Sequence, residues 1–364
     1  MLLSHNLYFC EPKYIIMAVK KNNSGEIIDF IKAHPAISSK EIHEGLKTAM
    51  GYASVKRVLQ KLVEENLVMA EGKGKATRYK ISPAYELIHP VEVDDYFKTE
   101  IDDRVIKKGF THSLITDTLD KVPVFTTAEL DHLHTLQETY TANITRLSEP
   151  EYKKELERLA IDLSWKSSQI EGNTYSLLET ERLLKEKETA AGKTKDEAVM
   201  LLNHKAALDF IIDQPEYVSP LTISAIEDIH SILVKDLGVE RNMRRHRVGI
   251  SGTNYKPLDN EFQIKEALED MSALVNKQEK VFAKALLVLV LISYIQPFAD
   301  GNKRTARILS NAILLSNHYC PISFRTVDSI DYKKAMLIFY EQNNITAFKK
   351  IFIDQFEFAV NTYF

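Results

Sequence analysis

Gln296-Pro297-Phe298-Ala299-Asp300-Gly301-Asn302-Lys303-Arg304-Thr305-Ala306-Arg307 is the stretch on which the reading of this chain turns. It gathers a turn, one acidic residue, small and amide residues and three cations directly after a strongly apolar run. Pro297 cannot continue a preceding helix, because it lacks an N–H and its ring clashes with the turn before it, so 296–302 is expected to be a loop. A new helix is expected over 303–317. Gly301 reaches backbone conformations closed to other residues, and the free N–H groups at that helix start point into the loop. Successive amides in such a turn form a concave anion site, reinforced by the positive end of the helix dipole. Arg304 and Arg307 stand three apart, so both guanidiniums reach roughly the same side and can grip phosphate oxygens. Asp300 suits a Mg²⁺ bridging two phosphates, since that ion takes one or two carboxylates plus phosphate oxygens. The composition is that of a nucleotide-phosphate site, whereas Gly-Asn-Lys-Arg alone reads first as an ordinary helix start with solvated arginines.

The whole stretch resembles the signature of the Fic family, His-Pro-Phe-x-Asp/Glu-Gly-Asn-Gly-Arg-x-x-Arg, with Gln296 where the family keeps its catalytic histidine. The resemblance implies a mainly α fold, a Fic-type helical domain with a small β-hairpin flap, that uses ATP and Mg²⁺ to transfer AMP to a hydroxyl of a target protein. By the same resemblance Asp300 holds the metal, and Gly301 and Asn302 line the anion hole with Arg304. Lys303 stands beside them, and Arg307 binds the γ-phosphate. The family histidine takes the proton from the target hydroxyl. Gln296 cannot, because an amide has no basic lone pair near neutral pH. Loss of a positioned general base costs roughly a hundred- to ten-thousand-fold in rate, while nucleotide binding need not suffer. Lys303 replaces the glycine of many members. The Doc branch shares Asn-Lys-Arg and transfers phosphate, but the second arginine, here Arg307, goes with AMP transfer.

A second motif points the same way. Ser167-Ser168-Gln169-Ile170-Glu171-Gly172-Asn173 resembles the family's inhibitory pattern Ser/Thr-x-x-x-Glu-Gly/Asn. Ser167 and Glu171 are four apart and share a helix face, and Gly172 before Asn173 is a plausible helix end. The resemblance implies an inhibitory helix at about 151–173 whose Glu171 pairs with Arg307 and blocks the γ-phosphate position. A third segment, Val248, Gly249, Ile250, Ser251, Gly252 and Thr253, continuing to Asn254-Tyr255-Lys256-Pro257, alternates apolar and small residues and reads as a short hairpin. The family's flap stands there and holds the target segment by main-chain pairing. Arg244, Arg245 and Arg247 precede it as a basic cluster that also reads as a solvated turn.

At 364 residues the chain has room for two or three domains, and 45% apolar with 27% charged residues is ordinary globular usage. Two cysteines, Cys10 and Cys320, are too few for a disulfide scaffold or a zinc site and fit a reducing cytoplasm. The apolar run 285–292 is too short for a membrane span and reads as a buried core helix. The domain expectations are a floppy or mis-assigned start over 1–23, a winged helix-turn-helix domain over 24–85, a helical connector over 86–150, and the Fic domain over 151–364. The winged helix rests on three short helices, with Ile27, Ile28 and Ile31 in the first, Ser39 opening the second and Ser54 capping the third, followed by a basic hairpin. Lys56, Arg57 and Lys61 mark its third helix, and Lys73, Lys75, Arg78 and Lys80 its wing. Residues 1–88 carry thirteen Lys and Arg against nine Asp and Glu, while the rest carries an excess of acid. That asymmetry suits a phosphate backbone, so DNA is an expected partner, with a protein partner as the alternative. Aromatics at Tyr332, Phe339, Phe348, Phe352 and Phe356 read as core ahead of an adenine pocket. Two functions stand: an AMP transferase impaired or altered at Gln296, and a nucleotide-responsive DNA-binding regulator with a non-catalytic Fic domain. A homodimer is left open.

Overall fold

A computed structural model describes residues 23–364. The reading of 1–23 as a floppy or mis-assigned start, and Cys10 with it, falls outside the described residues apart from Asn23, where the first helix begins. Two compact units follow one another, the first closing at Tyr85 and the second running Glu86–Phe364.

The first unit holds α1 (Asn23–Ala33), α2 (Ser39–Gly45), α3 (Tyr52–Glu64), β1 (Val68–Glu71) and β2 (Arg78–Ile81). Ser38 caps α2 through a capping box with Glu41, which satisfies two otherwise orphaned donors. Ser54 was expected to cap α3, but that helix starts at Tyr52 with Gly51 as N-cap, and Ser54 lies inside its first turn. Ile27, Ile31, Ile42, Val55, Leu59 and Leu62 close the small core. Strands β1 and β2 pair antiparallel, Val68 opposite Ile81 through Glu71 opposite Arg78. This is the three-helix and wing order of a winged helix. Lys56, Arg57, Lys73 and Lys75 are exposed on it. Lys80 on the wing is paired with Glu71 and Lys61 on α3 with Glu65, so both elements are less positive than their lysine counts suggest.

Counting only helices of ten or more residues, the second unit contributes α4 (Thr127–Ile144), α5 (Glu149–Ile170), α6 (Leu177–Glu186), α7 (Lys195–Asp213), α8 (Ile223–Leu233), α9 (Glu261–Lys277), α10 (Val281–Ile295), α11 (Asn302–Ser316), α12 (Ser329–Gln342) and α13 (Thr346–Tyr363). The chain from 97 to 126 carries only short helical turns, so the expected helical connector is helical chiefly from Thr127 onward. Helix α10 is buried on every side from Ala285 to Ile295, which explains its unbroken apolar run. Its principal partner is α11, with α5, α7 and α8 also packed on α11. No helix of the described residues is long and apolar enough to cross a membrane. Tyr332, Phe339, Phe348, Phe352 and Phe356 are all fully buried.

One expectation fails. Among the described residues the only sheet is β1–β2, and 248–257 forms no hairpin. Ser251 and Gly252 do make a turn, with Gly252 at φ +85°. The chain beyond them dives inward instead of folding back: Tyr255 is buried and its ring stacks on those of Tyr294 and Tyr340. Lys256 finds its main-chain partner at Lys108 and Gly109.

Leu59 is fully buried at the centre of the small first core. Leu59→Ala is expected to lower the stability of that unit by about 2–5 kcal/mol. Chemical denaturation followed by a probe in residues 23–85 measures this, and a loss of less than about 1 kcal/mol contradicts the packing described.

Candidate nucleotide site

The loop between α10 and α11 is built by backbone constraint first. Gln296 ends α10 in a left-handed conformation (φ 53°, ψ 57°), and Gly301 opens α11 at φ +82°. A Cβ on Gly301 would stand 3.3 Å from the His230 ring and from Val234, so the position requires glycine on both conformation and space. Asn302 stitches the loop from within: its Oδ1 accepts from the Phe298 amide (2.8 Å), and its Nδ2 donates to the Phe298 carbonyl (2.8 Å) and to Gln296 Oε1 (3.0 Å). Gln296 Nε2 donates in turn to the Ser293 carbonyl (2.6 Å). Both arms of this amide are therefore engaged in holding the turn.

Two residues that sequence reasoning missed fix the loop from outside. Arg244 is fully buried with no carboxylate on it. It donates to the carbonyls of Gln296 (2.6 Å), His246 (2.7 Å) and Leu258 (2.6 Å), and its own amide donates to the Pro297 carbonyl (3.0 Å). Burial pulls its pKa below the usual guanidinium value. Arg245 and Arg247 are exposed and pair with Glu261 and Asp259, so one of three similar arginines is a structural pin and the other two are solvated. His230 lies flat on Phe298, with ring centroids 3.6 Å apart and 2° between planes. Its ring nitrogens stand 2.9 Å from the Arg241 and Asp300 carbonyls, bridging two backbone segments. Burial pushes this imidazole down in pKa.

The α11 cations then divide. Arg304 Nη2 meets Asp300 Oδ2 at 3.0 Å and its Nη1 donates to the Leu233 carbonyl (3.2 Å). Arg307, fully buried, donates Nε to Ser167 Oγ (2.8 Å) and Nη2 to both the Ser167 carbonyl (3.0 Å) and Glu171 Oε1 (2.8 Å). Lys303 Nζ reaches the other oxygen of Glu171 at 3.4 Å. One carboxylate is thus held by two cations. Burial alone acts to raise the Glu171 carboxyl, but Arg307 and Lys303 outweigh it and hold its pKa below the ordinary carboxylate range. Glu171 occupies the C-cap of α5, where Gly172 at φ +101° turns the chain out and the Asn173 amide returns to the Ser168 carbonyl (3.0 Å). That ending aims the glutamate at α11.

Ser167, Glu171, Lys303 and Arg307 are brought together, Asp300 and Arg304 make the adjoining pair, and Gly301 and Asn302 form the turn between. Val248, Gly249, Ile250, Ser251, Gly252 and Thr253 follow the Arg244 pin and are not brought into that cluster. The donor set suits a nucleotide triphosphate: the first amides of α11 have no partner inside the helix, and Nη1 of Arg307 and Nε of Arg304 are buried without hydrogen-bond partners. The Asp300 side chain keeps 65% of its exposure, which leaves a carboxylate open to a metal beside the phosphates. Tyr332 adds a ring 5.1 Å from the Arg307 guanidinium, a contact that no motif announced.

This loop lies in the segment 220–314 that matches the profile of the Fic/DOC family, and residues 23–124 match that of the penicillinase repressor. A protein adenylyltransferase Fic from Nematostella vectensis is 30% identical over 183 residues, covering 46% of this chain and 40% of that relative. Among solved structures, Fic-1 (residues 134–508) of C. elegans superposes with a TM-score of 0.55 at 20% identity, over 65% of this chain and 72% of the other. A Fic-domain signalling protein from Bacteroides thetaiotaomicron gives 0.53 at 20% identity, over 63% and 94%. Those two likenesses speak for the fold. Residues 220–314 thus match a Fic domain and residues 23–124 a repressor domain of winged-helix type, and the second unit has the fold of solved Fic proteins. The chain spans 40% of the length of the sea-anemone relative, so that protein's activity is not simply inherited.

Arg244→Ala removes three charge-assisted hydrogen bonds from buried carbonyls and is expected to destabilise the second unit by about 3 kcal/mol or more. Arg245→Ala, at an exposed pair, is expected to stay within about 0.5 kcal/mol of the parent. Denaturant midpoints of the two variants test the difference, and equal midpoints contradict the assignment of Arg244 as the pin.

Proposed function

We propose that the second unit binds ATP with Mg²⁺ at the α10–α11 loop and carries the apparatus of AMP transfer to a protein hydroxyl, slowed at Gln296 and held off by Glu171. The observation that carries this reading is the buried Arg307 guanidinium, whose anion is Glu171 at the end of α5, with Ser167 on its Nε and Tyr332 beside it. A γ-phosphate is the natural competitor for that guanidinium, and binding it requires Glu171 to leave. Mg²⁺, when bound, neutralises charge on the phosphates. Asp300 is the carboxylate to hold it, and Gly301, Asn302 and Lys303 offer main-chain donors to phosphate oxygens with Arg304 behind them.

In the transfer, the target hydroxyl oxygen forms a bond to the α-phosphorus while the bond to the β-phosphate bridging oxygen breaks and pyrophosphate departs. The hydroxyl proton needs an acceptor. Gln296 stands where the family's histidine would, and its amide is committed to Ser293 and Asn302 and is not basic near neutral pH. The consequence is a site that keeps its nucleotide contacts once Glu171 leaves and transfers slowly.

A second reading, a nucleotide-responsive DNA-binding regulator, is favoured by the penicillinase repressor match and by the exposed Lys56, Arg57, Lys73 and Lys75 on α3 and the wing. Under that reading the Glu171–Arg307 pair gates nucleotide binding as a signal, and chemistry is not required.

Labelling from ATP radioactive at the α-phosphorus separates the two. Glu171→Gly is expected to label protein slowly, and Glu171→Gly with Gln296→His roughly a hundredfold faster or more, the worth of a general base. Label from the γ-phosphorus alone would instead indicate phosphate transfer. Labelling confined to the variant with the restored histidine favours the regulator.

A further inference from the structure

Arg307 and Lys303 hold the Glu171 carboxylate, but a glutamate at a helix end is also placed by the chain that follows it. Here that chain, Gly172 to Tyr175, is fastened to the start of α7. Thr174 donates its amide (2.8 Å) and its hydroxyl (2.6 Å) to the same oxygen, Glu197 Oε1. Asn173 is buried and donates Nδ2 to the Glu197 carbonyl (2.9 Å), while its Oδ1 accepts from the Tyr175 amide (3.0 Å). Lys193 Nζ donates to the Thr174 carbonyl (2.7 Å) and stands 3.1 Å from its Oγ1. Tyr175 packs with Leu183, Ala198 and Leu201, and its carbonyl accepts from Trp165 Nε1 on α5 (3.1 Å).

Glu197 serves two structures at once. Its Oε2 accepts from the Thr194 amide and hydroxyl, both at 2.9 Å, and this closes the capping box of α7. The cap uses that oxygen alone, and the other is engaged by Thr174, 23 residues away in sequence. These donors, the Thr174 hydroxyl foremost, hold the Glu197 carboxyl down to about 2, so it is charged throughout the physiological range. Thr174 is exposed whereas Arg307 is fully buried, so this fastening stands at the surface while the contact at Glu171 lies in the interior.

We propose that Glu197 is a positioning residue for the inhibitory carboxylate: by fixing Asn173 and Thr174 it holds the Gly172 turn, and with it Glu171, against Arg307. This rests on the reading of Glu171 as the group that keeps the γ-phosphate away. The link is short. Glu171 and Thr174 are three residues apart, and Gly172 between them sits at φ +101°, a conformation that side chains disfavour. A turn fastened at Thr174 leaves Glu171 little room to withdraw, and a turn set free lets the carboxylate spend less time on Arg307. A ligand that needs Glu171 absent then binds more tightly, because more of the protein is already competent to take it. No group that would touch the nucleotide is altered, and this separates a positioning residue from a binding one.

Calorimetric titration of the full chain and its variants with magnesium and ATP tests this. Glu197→Ala is expected to bind at least about threefold tighter than the parent, the scale of coupling carried by a residue outside both contacts. Thr174→Val keeps the α7 cap whole and is expected to shift affinity the same way by less; should Glu197→Ala not fold, it decides alone. Thr194→Ala weakens the cap but leaves the Thr174 bonds, and is expected to match the parent. In the Glu171→Gly background, Glu197→Ala is expected to stay within about twofold, since no carboxylate is left to position. If Glu171→Gly tightens binding while Glu197→Ala equals the parent, the anchor is overturned and the gate stands. If Glu171→Gly binds no tighter than the parent, the gate itself fails and the anchor with it. Equal tightening by Thr194→Ala, or a gain from Glu197→Ala that persists without Glu171, marks general loosening and also overturns the proposal.

Discussion

A guanidinium with no exposed surface must have its donors met, by carbonyls as at Arg244 or by an anion as at Arg307, and the nucleotide loop of the second unit is arranged around the second solution. The α10–α11 pair brings Arg307 into the interior, α5 ends so that Glu171 meets it, and Ser167 one turn earlier takes its Nε. Such a pair is weak evidence of a stability device, because two desolvated charges often do no better than apolar residues of similar size. A role in binding accounts for it more directly. An arginine whose anion is supplied by a helix-end glutamate is placed to take a phosphate in exchange under the proposed reading. Lys303 adds a second cation to the same carboxylate.

The loop that presents the site depends on pins that hold backbone. Arg244 gathers three carbonyls, from Gln296 in the loop, from His246 and from Leu258 on the approach to α9, and His230 bridges two more while stacked on Phe298. These contacts place Gln296 in its left-handed conformation. The same position that would carry the proton acceptor is here a brace, with its amide spent on Ser293 and Asn302. An amide that supports the turn while lacking a base is compatible with a nucleotide site retained for binding. Under the proposed reading the Glu171–Arg307 pair then serves a sensor as well as an enzyme.

Legibility of these features from sequence followed how local they are. Glu171 and Arg307 were readable because four-residue helix spacing and a helix-ending glycine fix where one side chain points, and a twelve-residue motif fixes the other. Gly301 was readable because its conformation excludes other residues. Arg244 was not: beside Arg245 and Arg247 it looks like one of three solvated cations, and only the loop folded over it decides otherwise. His230 sits on an apolar helix face with no partner nearby in sequence. The hairpin expected at 248–257 failed for a similar reason, since alternation describes a strand without saying where its partner lies. That partner came from residues 101–109, about 150 positions away, while Tyr255 was drawn into an aromatic stack.

Isothermal titration of the parent and of Glu171→Gly with magnesium and ATP tests the account at its centre. The account predicts weak association in the parent and binding about tenfold tighter or more once the glutamate is gone, a difference of roughly 1.4 kcal/mol. Absence of any heat of association in Glu171→Gly, with the variant still cooperatively folded, contradicts it.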